Sequence, residues 1–400
     1  MPARSIWQRK RGSSPKALSS PGREPPGGSR LRILAINWQD WGAPQKGGAE
    51  FYLKEILVRL VSYGHDVTLL ACGYPGAPHK ALLDRIKVIR TGSRNTFNFH
   101  LYGRPIRSFL RSNDFDVVLD DLNKIPFYTP LWAGSTPVVG IVMHVFRRKI
   151  FKETNFLAGS YVYWTEGLIP RIYRKGLFGC LGASGKKELA QMGMKPERIQ
   201  VLEVGVNPIF KPGPKKRKKL VVSVGRLMRY KCVDHVIYAM ARLRQRGIDA
   251  RCEIAGTGKD ADRLRQLIDR LGLEDSVKLP GWVSLADVAK LYQRAAVAVQ
   301  PSAKEGWGFL ATDAGACGTP VVAARVPGLT DSVKDKNTGF LYEHGNIDEM
   351  TDHLERLLTN EKLRRKMGEA NRKWTSTLTW ERVARRAERL LASAVERRAI

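Results

Sequence analysis

The chain alternates short apolar runs with longer segments in which apolar residues recur at helical spacing. Residues 31–37 read LRILAIN, a short apolar run, and residues 51–66 place apolar positions three and four residues apart. The first pattern is typical of a buried strand and the second of an amphipathic helix. Similar apolar runs occupy 67–72, 116–121 and 137–145. Apolar strands that alternate with helices predict a parallel sheet covered on both faces.

The pattern breaks once and then restarts. Residues 203–219, EVGVNPIFKPGPKKRKK, combine proline, glycine and a basic run, which is typical of a linker. Beyond it, KLVVSVGRL, ARCEIAGTG, SVKLPGW, VAVQPS and GTPVVAARVPG predict strands, separated by amphipathic stretches such as DHVIYAMARLRQRG. We therefore expect an α/β fold of two doubly wound, Rossmann-like domains facing across a cleft. Ligands of such sheets bind beyond the carboxyl ends of the strands, so the cleft is the predicted site.

Length and composition divide the chain into segments. Its 400 residues suit about two domains of ordinary size. Residues 1–30, rich in proline, glycine, serine and basic side chains, predict a disordered tail without the apolar core of a secretory signal. The remaining segments are a first domain at 31–205, a linker at 206–219, a second domain at 220–375, and a basic helix at 376–400 that could pack back on the first domain.

The net charge of +30 is the strongest compositional signal. A charge of this size implies an anionic partner, which could be a membrane surface, nucleic acid or a phosphorylated substrate. Basic clusters recur at 147–152 and 215–219. Each cluster taken singly is equally well explained as a solvated face.

Two compositional absences narrow the class further. No apolar run approaches the roughly 18 residues that a membrane-spanning helix needs. The five cysteines are scattered, without a CxxC pair and without histidines at zinc spacing. This usage predicts a reducing, cytoplasmic environment and no structural metal.

The segment KEGWGFLATDAGACGTPVVAA, residues 304–324, combines acids with glycines. Glu305 and Asp313 stand eight residues apart, and glycines follow each of them. Glycine costs about 1 kcal/mol against alanine inside a helix. Their recurrence beside charge therefore indicates that a ligand approaches this backbone closely.

Cations and further glycines follow other predicted strand ends of the second domain. SVGRLMRYK places Gly225, Arg226 and Lys231 just beyond a strand, and AGTGKD at 255–260 places glycines before a helix. Arginine binds phosphate oxygens with a bidentate fork, and lysine as a point charge. A single GxG is weak evidence, and no Walker A loop is present. The set as a whole predicts a nucleotide diphosphate that carries a sugar, with the cations stabilising the departing diphosphate and the acids holding hydroxyls.

Taken together, SVGRLMRYK, IAGTG, LPGWVS and EGWGFLATDAGACGTPVVA resemble, in order and spacing, the C-terminal domain of the retaining family 4 glycosyltransferases of the GT-B fold. GGAE, MHVF and VLEVGVNPIFKP in the first half are similar to the same family. The resemblance spans roughly residues 31–375. It implies that the first domain binds the acceptor and the second the nucleotide sugar.

The resemblance also implies roles for single residues. Arg226 and Lys231 would bind the diphosphate, Glu305 the hydroxyls of the donor sugar, and His144 would lie near the reacting sugar. Asp313 stands where the family has a second glutamate that holds the ribose, and its shorter side chain puts that reach in question. The other implied donor contacts are Gly47, Gly48, Gly225, Gly256, Trp282, Val283, Gly306, Trp307, Gly308 and Phe309.

Several of these residues have a structural alternative. His144 could be a buried core histidine, and Glu305 an acid at a helix N-terminus. Asp260 and Asp262 resemble a metal-binding DxD pair, but they open a predicted helix, which favours capping. Asp121 and Asn123, at a strand end, could contact the acceptor or cap a loop. The aromatic and basic segment 161–176 could lie on a membrane surface or bury its aromatics in the core.

Composition and resemblance together predict a cytoplasmic, metal-independent hexosyltransferase without a cofactor, and the resemblance alone implies that it is retaining. It would move a sugar from a nucleotide diphosphate donor to a lipid-linked or envelope glycan acceptor, peripherally at the inner face of a membrane. One alternative is a sugar-nucleotide epimerase or hydrolase on the same fold. A second is a non-catalytic polyanion-binding protein, although no nucleic-acid-binding signature supports a nucleic-acid partner.

Overall fold

The computed structural model describes residues 30–44, 46–122, 125–152, 154–213 and 219–399. Within this part of the chain the residues form two compact α/β units. The unit called the N-domain comprises the described residues up to Glu203 together with those from Trp380 onward. The C-domain comprises Val204–Thr379. The tail predicted at 1–30, apart from Arg30, and the basic part of the linker at 214–218 lie outside the described residues.

The N-domain is built on one sheet with helices between its strands. Its strands are β1 Arg32–Ile36, β2 Asp66–Cys72, β3 Lys80–Leu83, β4 Ile86–Thr91, β5 Val117–Leu122, β6 Val138–Val142, β7 Leu177–Cys180 and β8 Ile199–Val201. Its first helices are α1 Gly48–Ser62, α2 Phe97–Leu101, α3 Arg104–Asn113, α4 Phe156–Gly167, α5 Ile169–Ile172 and α6 Ala183–Gln191.

Within the described residues the strand order of this sheet is β3-β4-β2-β1-β5-β6-β7-β8. Every pairing is parallel except the β3–β4 hairpin. Strands β5, β6 and β7 are buried along their whole length, as expected for a parallel sheet with helices on both faces. In such sheets the loops that bind ligands follow the carboxyl ends of the strands.

The C-domain repeats this design with a smaller sheet. Its strands are β9 Leu220–Val224, β10 Arg251–Ala255, β11 Val277–Gly281, β12 Val297–Gln300, β13 Val321–Ala324 and β14 Gly339–Tyr342. Its helices are α7 Asp234–Gln245, α8 Ala261–Arg270, α9 Leu285–Arg294, α10 Phe309–Ala316, α11 Leu329–Ser332, α12 Ile347–Thr359 and α13 Glu361–Thr375.

In the described chain the order of the second sheet is β11-β10-β9-β12-β13-β14, and its pairings are parallel. Valines of β9 and β12 lie at its centre with almost no exposed surface, including Val221, Val222 and Val297. The central position of β9 places the ends of β10, β11 and β12 around its own carboxyl end. Two sheets, parallel except for the β3–β4 hairpin and interleaved with helices, confirm the predicted α/β fold class.

The last helix, α14 Trp380–Ala399, belongs to the N-domain. The Trp380 ring packs at 5.6 Å from the centroids of both Phe51 and Tyr52 on α1. Arg382 and Arg386 bind the Glu203 carboxylate at 2.8 and 2.9 Å. The chain thus crosses into the C-domain and returns to complete the first sheet's helical layer. Among the described residues, no helix has both the length and the apolar character that crossing a bilayer requires.

Candidate functional site

The loops that follow β9, β10, β11 and β12 lie side by side at one edge of the C-domain sheet, because these strands are neighbours. Backbone hydrogen bonds join them in sequence. The amide of Gly225 donates to Ala255 at 2.9 Å, and that of Gly256 to Gly281 at 2.7 Å. The amide of Ala303 donates to the carbonyl of Tyr230 at 2.8 Å. Residues predicted from four separate motifs are thereby brought to one edge.

Glu305 is the best-anchored side chain of this edge. Its Oε1 accepts hydrogen bonds from Lys231 Nζ at 2.5 Å, Ser302 Oγ at 2.7 Å and Gln300 Nε2 at 3.0 Å. Burial alone would raise the pKa of Glu305, but the charge and hydrogen bonds of these partners outweigh it and lower the pKa below its ordinary value. The acid is therefore ionised, and its position is fixed before any ligand binds.

Arg226 provides a second cation beside this pair. The side chain is exposed, and its Nη2 donates to the Tyr230 hydroxyl at 2.9 Å. Lys231 lies over the ring of the same tyrosine, 5.0 Å from its centroid. Tyr230, in the 3₁₀ turn Arg229–Lys231, thus contacts both cations, Arg226 through its hydroxyl and Lys231 over its ring. Such a pair suits an anion with two phosphates.

The glycines at the ends of β9 and β10 have a packing reason. Gly256 has φ +145°, and a Cβ there would collide with the carbonyl oxygen of Gly225. A Cβ at Gly258 would collide with the carbonyl of Leu227 in the same way. The two backbones therefore approach one another as closely as glycine allows. This contact accounts for the IAGTG motif without requiring that each glycine touch a ligand.

The N-terminus of α8, at the end of AGTGKD, carries an acidic side chain. The Asp260 carboxylate lies there and binds Arg263 through two hydrogen bonds, at 2.7 and 2.6 Å, and Arg229 at 3.1 Å. Asp260 occupies the N-cap position without making a capping hydrogen bond, and Asp262 pairs with Arg265. The expected capping role is thus replaced by ion pairs. The same ion pairs explain these aspartates without a DxD metal site.

The segment Gly306–Phe309 connects Glu305 to helix α10. Gly308 has φ +94°, and a Cβ there would meet Leu329 at 2.6 Å, so only glycine fits this turn. The Trp307 ring is buried 6.2 Å from the ring of Trp374. Any donor contact at Trp307 must therefore come from its backbone. Trp282 and Val283 are half-buried in the loop after β11.

Asp313 lies on α10 and is only 3% exposed. Among the described residues its Oδ2 has no hydrogen-bond partner, and burial raises its pKa well above the ordinary value. Glu305 and Asp313 are therefore opposite cases, since the first is ionised and accepts three hydrogen bonds at Oε1 while the second favours its neutral form. A buried carboxyl oxygen without a partner is costly to the folded protein.

In the N-domain, Gly47 and Gly48 begin helix α1. The backbone N–H of Gly47 donates to Glu50 Oε2 at 2.6 Å. The amides of a first helical turn point along the axis toward an anion. The position suits the implied diphosphate contact, although the glutamate already accepts from one of the amides.

His144 lies in the loop that follows β6, with its ring 4.6 Å from that of Phe146 in an edge-to-face arrangement. The buried Glu166 of α4 holds this loop. Its two carboxylate oxygens accept from the backbone amides of Phe146 and Arg147, each at 2.7 Å. Glu166 was not found by sequence reasoning, because twenty residues separate it from the amides that it binds.

Of the two predicted acceptor residues, Asp121 and Asn123, the structure describes only the first. Asp121 is fully buried, and Asn123 lies outside the described residues. The neighbouring Asp120 accepts hydrogen bonds from Thr129 and from the Tyr173 hydroxyl, and burial raises its pKa to about 6. Asp120 is a structural acid that fastens the loop after β5. The structure does not expose Asp121 to an acceptor.

Gln300 and Ser302 are functional neighbours that sequence reasoning did not single out. They stand five and three residues before Glu305, in the segment QPSAKE that was interpreted only as a strand end. A strand that stops in a proline, followed by hydroxyl and amide side chains before the acid, is the signal that could have identified them.

Comparison with protein families matches both halves of the chain. Residues 207–374 match the model of glycosyl transferases group 1, and residues 46–210 match that of glycosyltransferase family 4. A D-inositol 3-phosphate glycosyltransferase of Thermobifida fusca is 33% identical over 223 residues, which are 50% of this chain and 51% of that protein. The chain thus spans about half the length of the curated relatives it matches.

Solved structures show the same fold. A sucrose-phosphate synthase from Thermosynechococcus elongatus is similar with a TM-score of 0.75 at 20% identity, covering 90% of this chain and 98% of its own. The Anabaena protein HepE in complex with UDP-glucose has a TM-score of 0.70 at 18% identity, covering 91% and 100%. The two family models together extend over residues 46–374, most of the chain. The protein therefore belongs to the family 4 glycosyltransferases and has the two-domain GT-B fold.

Proposed function

We propose that the protein transfers a sugar from a nucleotide diphosphate to an acceptor, with retention of configuration. The observation that carries this proposal is the fixed, ionised Glu305, held by Lys231 beside the exposed Arg226 at an edge lined by glycine loops. An acid already supplied with donors cannot act as a free general base in the ligand-free protein. Its arrangement suits the holding of sugar hydroxyls next to a diphosphate.

The two cations would bind the leaving diphosphate in different ways. Lys231 Nζ gives one hydrogen bond to Glu305 and, as an ammonium group, has two further N–H donors for phosphate oxygens. Arg226 adds a planar fork that can bind two oxygens at once. Fixed positive charge stabilises the diphosphate as the bond to the sugar breaks. This chemistry requires no divalent cation, so we propose a metal-independent reaction.

The names of similar proteins agree with a nucleotide sugar as the donor. HepE was solved with UDP-glucose, and the relative from Thermobifida fusca carries the name of an inositol-phosphate glycosyltransferase. We take from them only the donor class, a nucleotide diphosphate hexose. Asp313 would bind the ribose in this proposal, and a ribose hydroxyl would give its unpaired Oδ2 a hydrogen-bond partner.

A panel of nucleotide sugars tests the proposal by thermal shift. A ligand present at 100 times its Kd adds about 2.7 kcal/mol of stability. The donor that stabilises the protein is then incubated with and without candidate acceptors, using Glu369→Gln on the exposed face of α13 as the matched control for Glu305→Gln. Transfer lost only in Glu305→Gln supports the proposal. Release of free sugar without an acceptor would favour a hydrolase, and the absence of any stabilising nucleotide sugar would overturn the donor class.

We also propose that helix α4 binds an anionic membrane surface, where a lipid-linked acceptor would lie. Leu157, Tyr161 and Trp164 form a stripe along one face of α4, and they are 81%, 53% and 72% exposed. Phe156 and Leu168 extend the stripe at its ends. Exposed aromatic and aliphatic side chains on one face of a helix are typical of interfacial binding. The aromatic side chains of the segment 161–176 are divided, because Tyr161 and Trp164 are exposed whereas Tyr173 is buried in the core.

Basic residues on both sides of α4 indicate which kind of surface the stripe would bind. Exposed Arg148 precedes α4, and exposed Arg171, Arg174 and Lys175 follow it. Each lysine or arginine close to an anionic lipid surface contributes about 1 kcal/mol, and salt screens this attraction. The combination of apolar stripe and flanking positive charge favours anionic lipid at the inner face of a membrane. Nucleic acid would not require the exposed tryptophan and leucines.

Co-flotation with liposomes tests this part. The full chain is expected to float with vesicles that contain phosphatidylglycerol at low salt, and to remain behind with vesicles of phosphatidylcholine alone. The double variant Leu157→Ser with Trp164→Ser is expected to lose flotation. Leu82→Ser is the matched control, because Leu82 is 69% exposed on β3, away from this stripe. Equal flotation of the double variant and the control would contradict the assignment of α4.

A further inference from the structure

Three potential metal ligands meet behind the Lys231 turn. The side chains of Cys232, His235 and His344 offer ligand atoms that all lie within 4.8 Å of one another. Cys232 Sγ is 3.5 Å from His344 Nε2, and the two histidine rings have centroids 5.3 Å apart. Cys232 and His235 follow β9, whereas His344 follows β14. The sequence interpretation missed the cluster because 109 residues separate His235 from His344, although Cys232 and His235 have the spacing C-x2-H.

Two further observations distinguish this cluster from a chance meeting. Cys232 has φ +49°, a left-handed conformation that is rare for a residue with a side chain, and its sulfur lies 3.5 Å from His344 Nε2. His235 Nδ1 is buried and has no hydrogen-bond partner among the described residues. Burial of an unpaired ring nitrogen is costly, and coordination of a metal would use its lone pair.

We propose that Cys232, His235 and His344 bind one transition-metal ion of the zinc type. One thiolate and two imidazoles are ligands that Zn²⁺ prefers, whereas Mg²⁺, Ca²⁺ and Mn²⁺ favour oxygen. In a tetrahedral site with bonds of about 2.0–2.3 Å, the ligand atoms lie roughly 3.3–3.8 Å apart, so the widest separation must close by about 1 Å. The thiol gives its proton to solvent as the sulfur–metal bond forms. Water would take the fourth position.

This ion would have a different task from donor chemistry. It would join the loop after β9 to the loop after β14, which lie at separate places along the sheet because β12 and β13 stand between them. The joined loop carries Lys231 as the residue before Cys232. The inference stands apart from the proposed transfer reaction, since its evidence is the ligand cluster alone.

Titration of the full, metal-free chain with Co²⁺ tests the site directly. We expect one Co²⁺ per chain, a sulfur-to-cobalt charge-transfer band, and displacement of the band by Zn²⁺ but not by Mg²⁺. Cys232→Ser is expected to abolish the band. Loss of outer-shell partners alone typically costs 10–100-fold in metal affinity, so His235→Ala and His344→Ala should each weaken binding by about 100-fold or more. His79→Ala, an exposed histidine of the N-domain, is the control and should bind as the parent does.

A second measurement covers the possibility that a variant fails to fold. Cys72, Cys180, Cys252 and Cys317 are buried, and Cys232 is partly exposed, so a bulky thiol reagent should modify Cys232 first. Zn²⁺ is expected to protect this thiol in the parent protein and not in His344→Ala, whose changed residue lies on an exposed loop. The proposal is overturned if no charge-transfer band forms, if the band persists in Cys232→Ser, or if both histidine variants bind Co²⁺ as tightly as the parent.

Discussion

The loops with predicted chemistry are held in different ways in the two domains. In the C-domain, Glu305 is fixed by direct side-chain bonds from Lys231 and Ser302 at the strand edge itself. In the N-domain, the loop of His144 is fixed indirectly, through two backbone amides that bind Glu166 on α4. The opposite face of that helix is exposed and apolar. In the proposed assignment, the donor side is therefore organised in advance, whereas the order of the acceptor side depends on a surface helix.

The largest effect is expected from a substitution of Glu305, on the pre-organised side. Glu305→Gln keeps the size of the side chain but removes the charge that its donors compensate. The loss of one well-placed charge-assisted contact costs about 10²–10³-fold in kcat. The substitution also removes the ion-pair partner of Lys231, which adds to the loss. We expect kcat to fall by about 10³-fold or more, with nucleotide Kd changed little.

Steady-state kinetics together with calorimetric nucleotide binding separate the two quantities. Lys231→Arg offers a useful comparison, because it retains the charge while changing the geometry of the bond to Glu305. Near-normal turnover of Glu305→Gln would remove this acid from the reaction.

A smaller effect is expected on the indirectly held side. Glu166→Gln would place an amide N–H against one of the two backbone amides that now donate to carboxylate oxygens. Misplacement of a catalytic loop by about 1 Å can cost 10²-fold in rate, so we expect kcat to fall by about 10–100-fold. Nucleotide Kd should stay within about twofold, since Arg226, Lys231 and Asp313, the side chains expected to bind the nucleotide, lie in the C-domain.

The control is Glu197→Gln, an exposed glutamate of the N-domain, which should behave as the parent protein does. If Glu166→Gln weakens nucleotide binding as much as it lowers kcat, the loop that Glu166 holds also affects the nucleotide, and the inferred separation between the two loops is wrong.

Asp313 should show a trade-off between stability and affinity. Its folded pKa is raised, so its contribution to stability is greatest below the unfolded value and is lost as pH rises toward the folded pKa. Asp313→Asn removes this penalty and should raise Tm more at about pH 7.5 than at about pH 4.5. It should also weaken nucleotide binding by about 0.5–1.5 kcal/mol if the neutral carboxyl binds a ribose hydroxyl.

Thermal melts at both pH values and calorimetry with nucleotide measure the two effects. Asp313→Glu, which has the residue usual for the family, should be tolerated. A Tm gain that is the same at both pH values would mean that the buried carboxyl does not titrate as inferred, and unchanged nucleotide affinity would exclude it from the ribose.

The smallest expected effect is that of chelation. In the proposed reaction Arg226 and Lys231 neutralise the diphosphate without a divalent ion, so transfer should persist in EDTA to within about twofold, even if an ion proposed at Cys232 is removed. Assays with and without added Mg²⁺ measure this. Transfer that stops in EDTA and returns only with Mg²⁺ or Mn²⁺ would mean that the cations do not suffice, whereas rescue by Zn²⁺ alone would assign the loss to the cysteine–histidine cluster.

The sequence was most informative where one motif contains both a strand end and its functional residues. β9 with Arg226 and Lys231, and β12 with Glu305, were predictable because a buried strand and the residues after it are contiguous. The β3–β4 hairpin was not predicted, because its turn uses Asp84 and Arg85 at φ +49° and +68° in place of the glycine that usually signals such a turn. The run 137–145 was taken as one strand, yet β6 ends at Val142, where the chain turns to the amides that Glu166 holds.

Contacts between distant segments were beyond sequence reasoning. Nothing in the neighbourhood of His144 indicates Glu166, and nothing near Cys232 indicates His344. Burial was equally hidden, since Asp120 and Asp121 are adjacent letters but only the packing of Thr129 and Tyr173 makes the first a structural acid. The chemistry of a residue could be inferred from its motif, whereas its partners required the fold.

The return of α14 to the N-domain has a consequence for how the protein is made. Phe51 and Tyr52 of α1 pack on Trp380, which the ribosome adds only after the whole C-domain. The C-domain can complete its core during synthesis, because it is one continuous stretch of chain. The N-domain must wait with part of α1 uncovered until residues 380–399 emerge. A released chain that ends at Thr379 should therefore resist protease in the C-domain while remaining sensitive in the segment that was translated first.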